Sequence, residues 1–240
     1  MATPSTFDAA RRKLAFALDY PTLAEARVGA SCVASQVGVL KVGLELFVRE
    51  GPAAARLPTE LGCDAFLDLK LHDIPETVER AVANACQLGV RYLTLHVSGG
   101  PRMMEQAAQR VVRENVDLTL LGVTVLTSLD TSDLLALGVE GSPGAHARRL
   151  ALLAQASGLR GCVCSAAEVA ELRQAVGIDF VLVTPGIRLS SAGADDQKRV
   201  GRPRDAIQAG SSILVVGRPI RDASDPAQAA AQIVAEIASA

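Results

Sequence analysis

The stretch Asp68-Leu69-Lys70-Leu71-His72-Asp73-Ile74-Pro75 brings two carboxylates and an ammonium close together along the chain. Residues two apart on an extended strand share a face, so Asp68 and Lys70 point the same way, with Asp73 following in a loop. An ammonium flanked by two carboxylates keeps its proton, because opposite charges a few ångströms away favour the ionised form. Each such contact, at about 4 Å and an effective dielectric near 20, is worth roughly 4 kcal/mol. A lysine held protonated in this way is a poor general base. It is suited instead to stabilising a developing anion and then donating a proton to it. Asp19, after the apolar run LAFAL, and Lys41, within VLKVG, add a second pair at the ends of the two preceding runs. Isolated buried charges are costly, so these groups need one another. A lone Asp-x-Lys would be explained by an ion pair that only closes the mouth of a fold; Lys41 and Asp19 beside it favour chemistry.

A second constellation lies near the end of the chain. Val215-Val216-Gly217-Arg218-Pro219 closes the last apolar run, and Thr184-Pro185-Gly186-Ile187-Arg188 closes the one before it. Backbone N–H groups and an arginine fork at neighbouring strand ends can hold a phosphate, although a solvated surface charge is the common fate of an arginine. Thr127 and Ser128 follow the fifth run and His96 ends the fourth. His72 and His96 lack partners at metal-ligand spacing; His96 reads as a hydrogen-bonded strand residue and His72 as a packing or loop residue. Cys162 and Cys164 point the same way on the sixth run and read as small buried hydrophobes. Met103-Met104 reads as the start of a core helix, and Ser98-Gly99-Gly100 before it as a tight turn.

Holding these groups together requires a frame, and the apolar runs supply one at 14–18, 37–42, 65–69, 92–97, 118–126, 162–164, 180–184 and 213–216. They are rich in Val, Leu and Ile with little polar alternation, the pattern of parallel strands covered on both faces. Between them lie helix-like segments such as 22–36, 75–88, 145–156 and 226–238, several opened by proline signals. Eight strands with helical partners in 240 residues predicts an α/β fold of the (β/α)8 TIM-barrel type, typically about 250 residues. An open doubly wound sheet shares the alternation, but no GxGxxG follows the first run and no compositional break marks a boundary. The reading is one domain over 1–240, with a mobile phosphate-side loop around 186–204 that is polar and Gly-rich.

Composition narrows the function classes. Lys+Arg 24 against Asp+Glu 26, no Trp and 3% aromatics leave neither a basic footprint nor stacking rings for nucleic acid. The longest uncharged stretch, 28–40, falls short of the roughly 18 residues a membrane span needs, and the apolar run after Arg11, Arg12 and Lys13 stops too soon for a signal peptide. Five cysteines with no CxxC pair suggest neither a disulfide framework nor a zinc site. The expected compartment is the cytoplasm.

The strings ALDY, LKVG, FLDLKLHDIPETV, HVSGG, VTVLTS, VCSAAE, LVTPGIR, the DDQ segment and VVGRPI, in that order, resemble the orotidine 5′-phosphate decarboxylase family in its bacterial form. The D-x-K-x-x-D-I-P core, with Thr77 two residues after the proline, is highly specific here. The resemblance implies a barrel that removes CO2 from orotidine 5′-monophosphate to give UMP, with no metal or organic cofactor. It makes Lys70 the catalytic lysine within an array of Lys41, Asp68, Lys70 and Asp73. Asp19 and Lys41 would contact the ribose, Gly217 and Arg218 the phosphate, and Thr127 the pyrimidine edge. Gln197 would bridge phosphate and base, with Arg188 and Pro185 nearby. Asp73, Ile74 and Thr77 would reach the partner subunit's site, implying a homodimer. Leu71 and Glu76 depart from the commoner Phe and Asn, which leaves interface details open. Related sugar-phosphate barrels in the same superfamily use Mg2+, but Lys41 stands where they offer a carboxylate, and a cation there would repel the metal. A noncatalytic phosphate-binding barrel is a further alternative; it has no need of two lysine–aspartate pairs.

Overall fold

A computed structural model describes residues 6–188 and 201–240. Among the described residues, eight parallel strands close a barrel in sequence order. They are β1 (Leu14–Ala17), β2 (Val39–Gly43), β3 (Asp64–Leu71), β4 (Tyr92–His96), β5 (Thr119–Val123), β6 (Gly161–Val163), β7 (Val181–Thr184) and β8 (Ile213–Val216). Strand β8 pairs back onto β1, with Ala15 opposite Val215. Each strand overlaps one of the expected runs. The expected loop around 186–204 lies, for residues 189–200, outside the described residues, and Gln197 with it.

The runs look uniformly apolar because both faces of every strand are covered. Ala15, Val39, Phe66, Leu121, Val183 and Val215 meet inside the barrel. Leu14, Phe16, Leu40, Leu67, Leu93 and Leu214 belong to the larger core shared with the surrounding helices. The same period of two extends one layer higher in the barrel. Two residues beyond Val39, Phe66 and Tyr92 stand Lys41, Asp68 and Thr94. The apolar inner layer is thus capped, toward the C-terminal ends of the strands, by a polar one.

Helix starts follow local capping. Thr22 accepts a hydrogen bond from the Glu25 N–H at the head of Leu23–Val33, and Asp225 accepts one from the Gln228 N–H at the head of Pro226–Ala238. Pro75 opens Pro75–Cys86, as its fixed φ favours. The helix expected from residue 145 begins earlier, as Pro143–Ala156, because the Ser142 hydroxyl accepts the Ala145 N–H and Pro143 takes the first position. Met103 and Met104 are fully buried at the start of Pro101–Glu114, as read from sequence. No helix among the described residues is long and apolar enough to cross a membrane.

At the opposite end of the barrel, Arg173 on the helix Val169–Val176 ties the entries of β7 and β8 together. Its Nη1 donates to the Phe180 carbonyl at 2.8 Å, while Nε and Nη2 donate to the Gly210 carbonyl at 3.0 and 2.8 Å. Removing one charged donor leaves two partly buried carbonyls, those of Phe180 and Gly210, without it. Arg173→Ala should therefore cost about 2 kcal/mol and lower the unfolding midpoint by about 5 °C in a thermal melt; an unchanged midpoint would show that the guanidinium is not a tie.

Candidate active site

The C-terminal ends of the strands surround a cavity of about 440 Å³. Asp19 from the β1 end, Lys41 from β2, Asp68 and Lys70 from β3, Thr127 beyond β5, Pro185 and Arg188 beyond β7, and Gly217 and Arg218 beyond β8 all line it. These residues span the chain from 19 to 218 and meet only because the barrel closes. The cavity floor is apolar, with Ala17, Phe66, Val123, Val183 and Val215 beneath the charges.

The charges form an alternating chain. Asp19 Oδ1 lies 3.5 Å from Lys41 Nζ, which lies 3.6 Å from Asp68 Oδ2. Lys70 Nζ donates to both Asp68 oxygens, at 2.9 and 3.0 Å. Asp68 is the hub, only 14% exposed in its side chain. Burial pushes its carboxyl upward, but the Lys41 and Lys70 ammoniums and the hydrogen bonds from Lys70 and Thr94 outweigh burial and hold it below the ordinary value. A buried carboxylate serving two ammoniums stays ionised, and so keeps them both in place.

Strict strand alternation does not produce this pair. The pairing of β3 with β4 shifts between Leu67↔Leu93 and Leu71↔Leu95, so β3 uses more residues than β4 over that step. Within the shift Lys70 adopts φ +51°, the left-handed region that a non-glycine residue enters at a cost of about 1–3 kcal/mol. Its backbone N–H leaves the strand ladder and donates to Thr94 Oγ1 at 2.9 Å, and the Thr94 hydroxyl donates to Asp68 Oδ1 at 2.9 Å. Gly217 lets the backbone approach Asp19 closely: a Cβ there would stand 3.1 Å from Asp19 Oδ2, tighter than ordinary van der Waals contact. Arg221 Nη1 donates to the Asp19 carbonyl at 2.9 Å and fixes that loop end.

Several expectations need correction. Asp73 does not flank Lys70 within the chain; it is exposed, and its carboxylate accepts the Ile74 N–H at 2.6 Å. The two residues after the strand turn it outward, which residue spacing could not reveal. His96 makes no side-chain hydrogen bond among the described residues. Its ring packs against His72 at 5.3 Å between centroids, and burial, then the His72 and Lys70 charges, push its pKa down. Thr184 is fully buried with its hydroxyl 2.7 Å from Ser211 Oγ, and neither it nor the exposed Ser128 lines the cavity. Ile74 and Thr77, which the resemblance assigns to a partner's site and not to this chain's own, are exposed and do not line this cavity, and Glu76 pairs with Arg80 one turn on.

Sequence spacing left two groups out of the site. Cys164, just past β6, is buried as expected but also lines the cavity, and the Cys162 thiol together with burial pushes its pKa well up, so it remains a thiol. Its place at a strand end was the available signal. Thr94, the polar residue in the apolar run YLTLH, faces the Asp68–Lys70 pair. Its inward register two residues before His96 could have found it.

A family model described as "Orotidine 5'-phosphate decarboxylase / HUMPS family" matches residues 12–233. A curated orotidine 5′-phosphate decarboxylase of Anaeromyxobacter sp. (strain K) is 50% identical over 223 residues, 93% of this chain and 97% of the relative. One from Trichlorobacter lovleyi is 47% identical over 235 residues, 97% of this chain and 98% of the relative. The crystal structure of orotidine 5′-phosphate decarboxylase from Lactobacillus acidophilus superposes with TM-score 0.83 at 34% identity, covering 94% of this chain and 99% of that one.

The Asp68 hub has a signature in pH. Its folded-state pKa lies below the unfolded value, so its contribution to stability is complete above the ordinary carboxylate range and is lost as pH falls through the folded value. In denaturant titrations across acid pH, Asp68→Asn should show a shallower loss of stability than the parent; equal slopes would mean that Asp68 is not held ionised by its neighbours.

Proposed function

The chain belongs to the orotidine 5′-phosphate decarboxylase family, and from that premise we propose how its own residues carry the reaction. The chain catalyses the decarboxylation of orotidine 5′-monophosphate to UMP and CO2 in pyrimidine biosynthesis. Breaking the C6–carboxylate bond releases CO2 and leaves the electron pair on C6, where the pyrimidine ring cannot delocalise it. A covalent electron sink is therefore of little use, and stabilisation has to come from charge placed in advance. The observation that carries the reading is the bidentate contact of Lys70 with Asp68, which aims a fixed ammonium into the cavity.

In this reading the Lys70 ammonium stabilises the C6 carbanion and then transfers a proton to it, and solvent restores the proton to the amine. Lys41 and Asp19, already paired at 3.5 Å, hold the ribose hydroxyls. Arg218 and the Gly217 N–H hold the phosphate, with Arg188 and Pro185 on the neighbouring strand end; Gln197, outside the described residues, is assigned to phosphate and base by the family resemblance alone. Thr127 meets the pyrimidine edge. Binding energy from the phosphate, remote from C6, is then available to orient the ring and exclude water.

The same reading makes the protein a homodimer with shared sites, and residues 1–240 one barrel domain. Asp73, Ile74 and Thr77 are all exposed, with Ile74 66% exposed. Together they form an outward-facing edge beside the cavity's Lys70 strand. Asp73 of the partner subunit would supply a second carboxylate, since Asp68 is the one that pairs with Lys70 among the described residues of its own chain. The Mg2+-dependent sugar-phosphate alternative is disfavoured by Lys41, whose ammonium stands 3.6 Å from Asp68; turnover of orotidine 5′-monophosphate should accordingly persist in chelator.

Absorbance loss from orotidine 5′-monophosphate tests these roles. Lys70→Ala should lower kcat by at least about 10³-fold, whereas Arg218→Ala should raise KM by more than about tenfold. Near-parental turnover by purified Lys70→Ala would remove the mechanism. Mixing inactive Lys70→Ala and Asp73→Ala proteins should restore activity, because one site of the mixed dimer then holds both native residues. No recovery from a demonstrated mixed dimer would mean that the sites are not shared.

A further inference from the structure

The geometry points to Thr94 as a positioning residue that sets the Lys70 ammonium in register with Asp68, an inference that rests on the role proposed above for Lys70. Thr94 is fully buried on β4, and its single hydroxyl meets two demands at once. The Lys70 backbone N–H can only donate, and an ionised Asp68 can only accept. The hydroxyl proton must therefore go to Asp68 Oδ1, at 2.9 Å, and an oxygen lone pair to the Lys70 N–H, also at 2.9 Å. The direction of both bonds is fixed without knowing the hydrogen position.

This clamp sits where β3 leaves its regular register and Lys70 takes φ +51°. Without the hydroxyl, the Lys70 N–H would lose its acceptor on β4, and only the side-chain bonds of Nζ to Asp68 would remain to hold the left-handed backbone. Relaxation toward ordinary strand geometry would swing the side chain away from the position in which Nζ straddles both Asp68 oxygens at 2.9 and 3.0 Å. Thr94 does not line the cavity, so it acts through Lys70 and Asp68 and not on substrate.

Valine keeps the shape of threonine and removes the hydroxyl; serine keeps the hydroxyl. Folded Thr94→Val should lose about 100-fold in kcat on orotidine 5′-monophosphate with KM within about threefold, the cost of displacing a reacting group by about an ångström. Thr94→Ser should stay within about threefold of the parent in kcat. The acid limb of the kcat profile should move to higher pH in Thr94→Val, because Asp68 has lost a donor to its ionised form; a purely structural role would leave that limb in place. Should Thr94→Val fail to fold, Thr94→Ala compared with Thr94→Ser carries the same contrast. The inference is overturned if the hydroxyl-free variant keeps kcat within about threefold of the parent, or if Thr94→Ser falls as far as it does. Parent protein with no decarboxylase activity, or an active Lys70→Ala, would instead sink the role of Lys70 itself, so the two failures are distinguishable.

Discussion

The buried carboxylate of Asp68, shared between two ammoniums, is the contact on which the rest of the site depends. Taking a carboxylate out of water is unfavourable by several kcal/mol, and only close opposite charge and directed hydrogen bonds offset it. Asp68 has Lys70 at 2.9 Å, Lys41 at 3.6 Å and the Thr94 hydroxyl at 2.9 Å. Below them the barrel offers only apolar side chains such as Phe66 and Val215. The charges therefore have no alternative partners in that direction, and the array is confined to the layer where the cavity opens. Removing Asp68 would leave Lys41 and Lys70 facing each other without the carboxylate between them, which is why these side chains depend on one another.

Closure of the barrel and local distortion of one strand are both needed for this arrangement. Closure brings β1, β2, β3 and β8 side by side, so that Asp19, Lys41, Asp68 and Gly217 approach one another despite their separation along the chain. Distortion of β3 then supplies what an ideal strand could not, a lysine whose backbone turns at φ +51° and whose amine folds back onto a carboxylate two residues earlier. Stored strain of this kind persists only where surrounding contacts over-determine it. The hydroxyl of Thr94 and the paired oxygens of Asp68 are those contacts here. Catalysis by charge placed in advance requires that reorganisation be completed during folding and not during the reaction.

Much of this was legible in the sequence, and the exceptions share a cause. The apolar runs located every strand, and the D-x-K-x-x-D-I-P segment located the centre of the site, because both depend on residues close together in the chain. Helix starts at Thr22, Pro75 and Asp225 were readable from capping chemistry for the same reason. What spacing could not show depends on neighbours across the barrel. The shifted pairing of β3 and β4 decides the conformation of Lys70, Thr94 is matched to it from the adjacent strand, and the His72–His96 contact bridges two strand ends. Asp73 is the sharpest case. Its charge suggested a second flank for Lys70, yet the turn after β3 directs it to the surface, where its carboxylate accepts the Ile74 N–H.

The most direct test of the preset array is a crystal structure of the protein with UMP bound, compared with the empty protein. The account predicts that Lys70 and Lys41 keep their separations of 2.9 and 3.6 Å from Asp68, and that Lys70 Nζ faces C6 of the uracil ring at about 3–3.5 Å. A complex in which these side chains rearrange around the nucleotide, or in which C6 points away from Lys70, would contradict it.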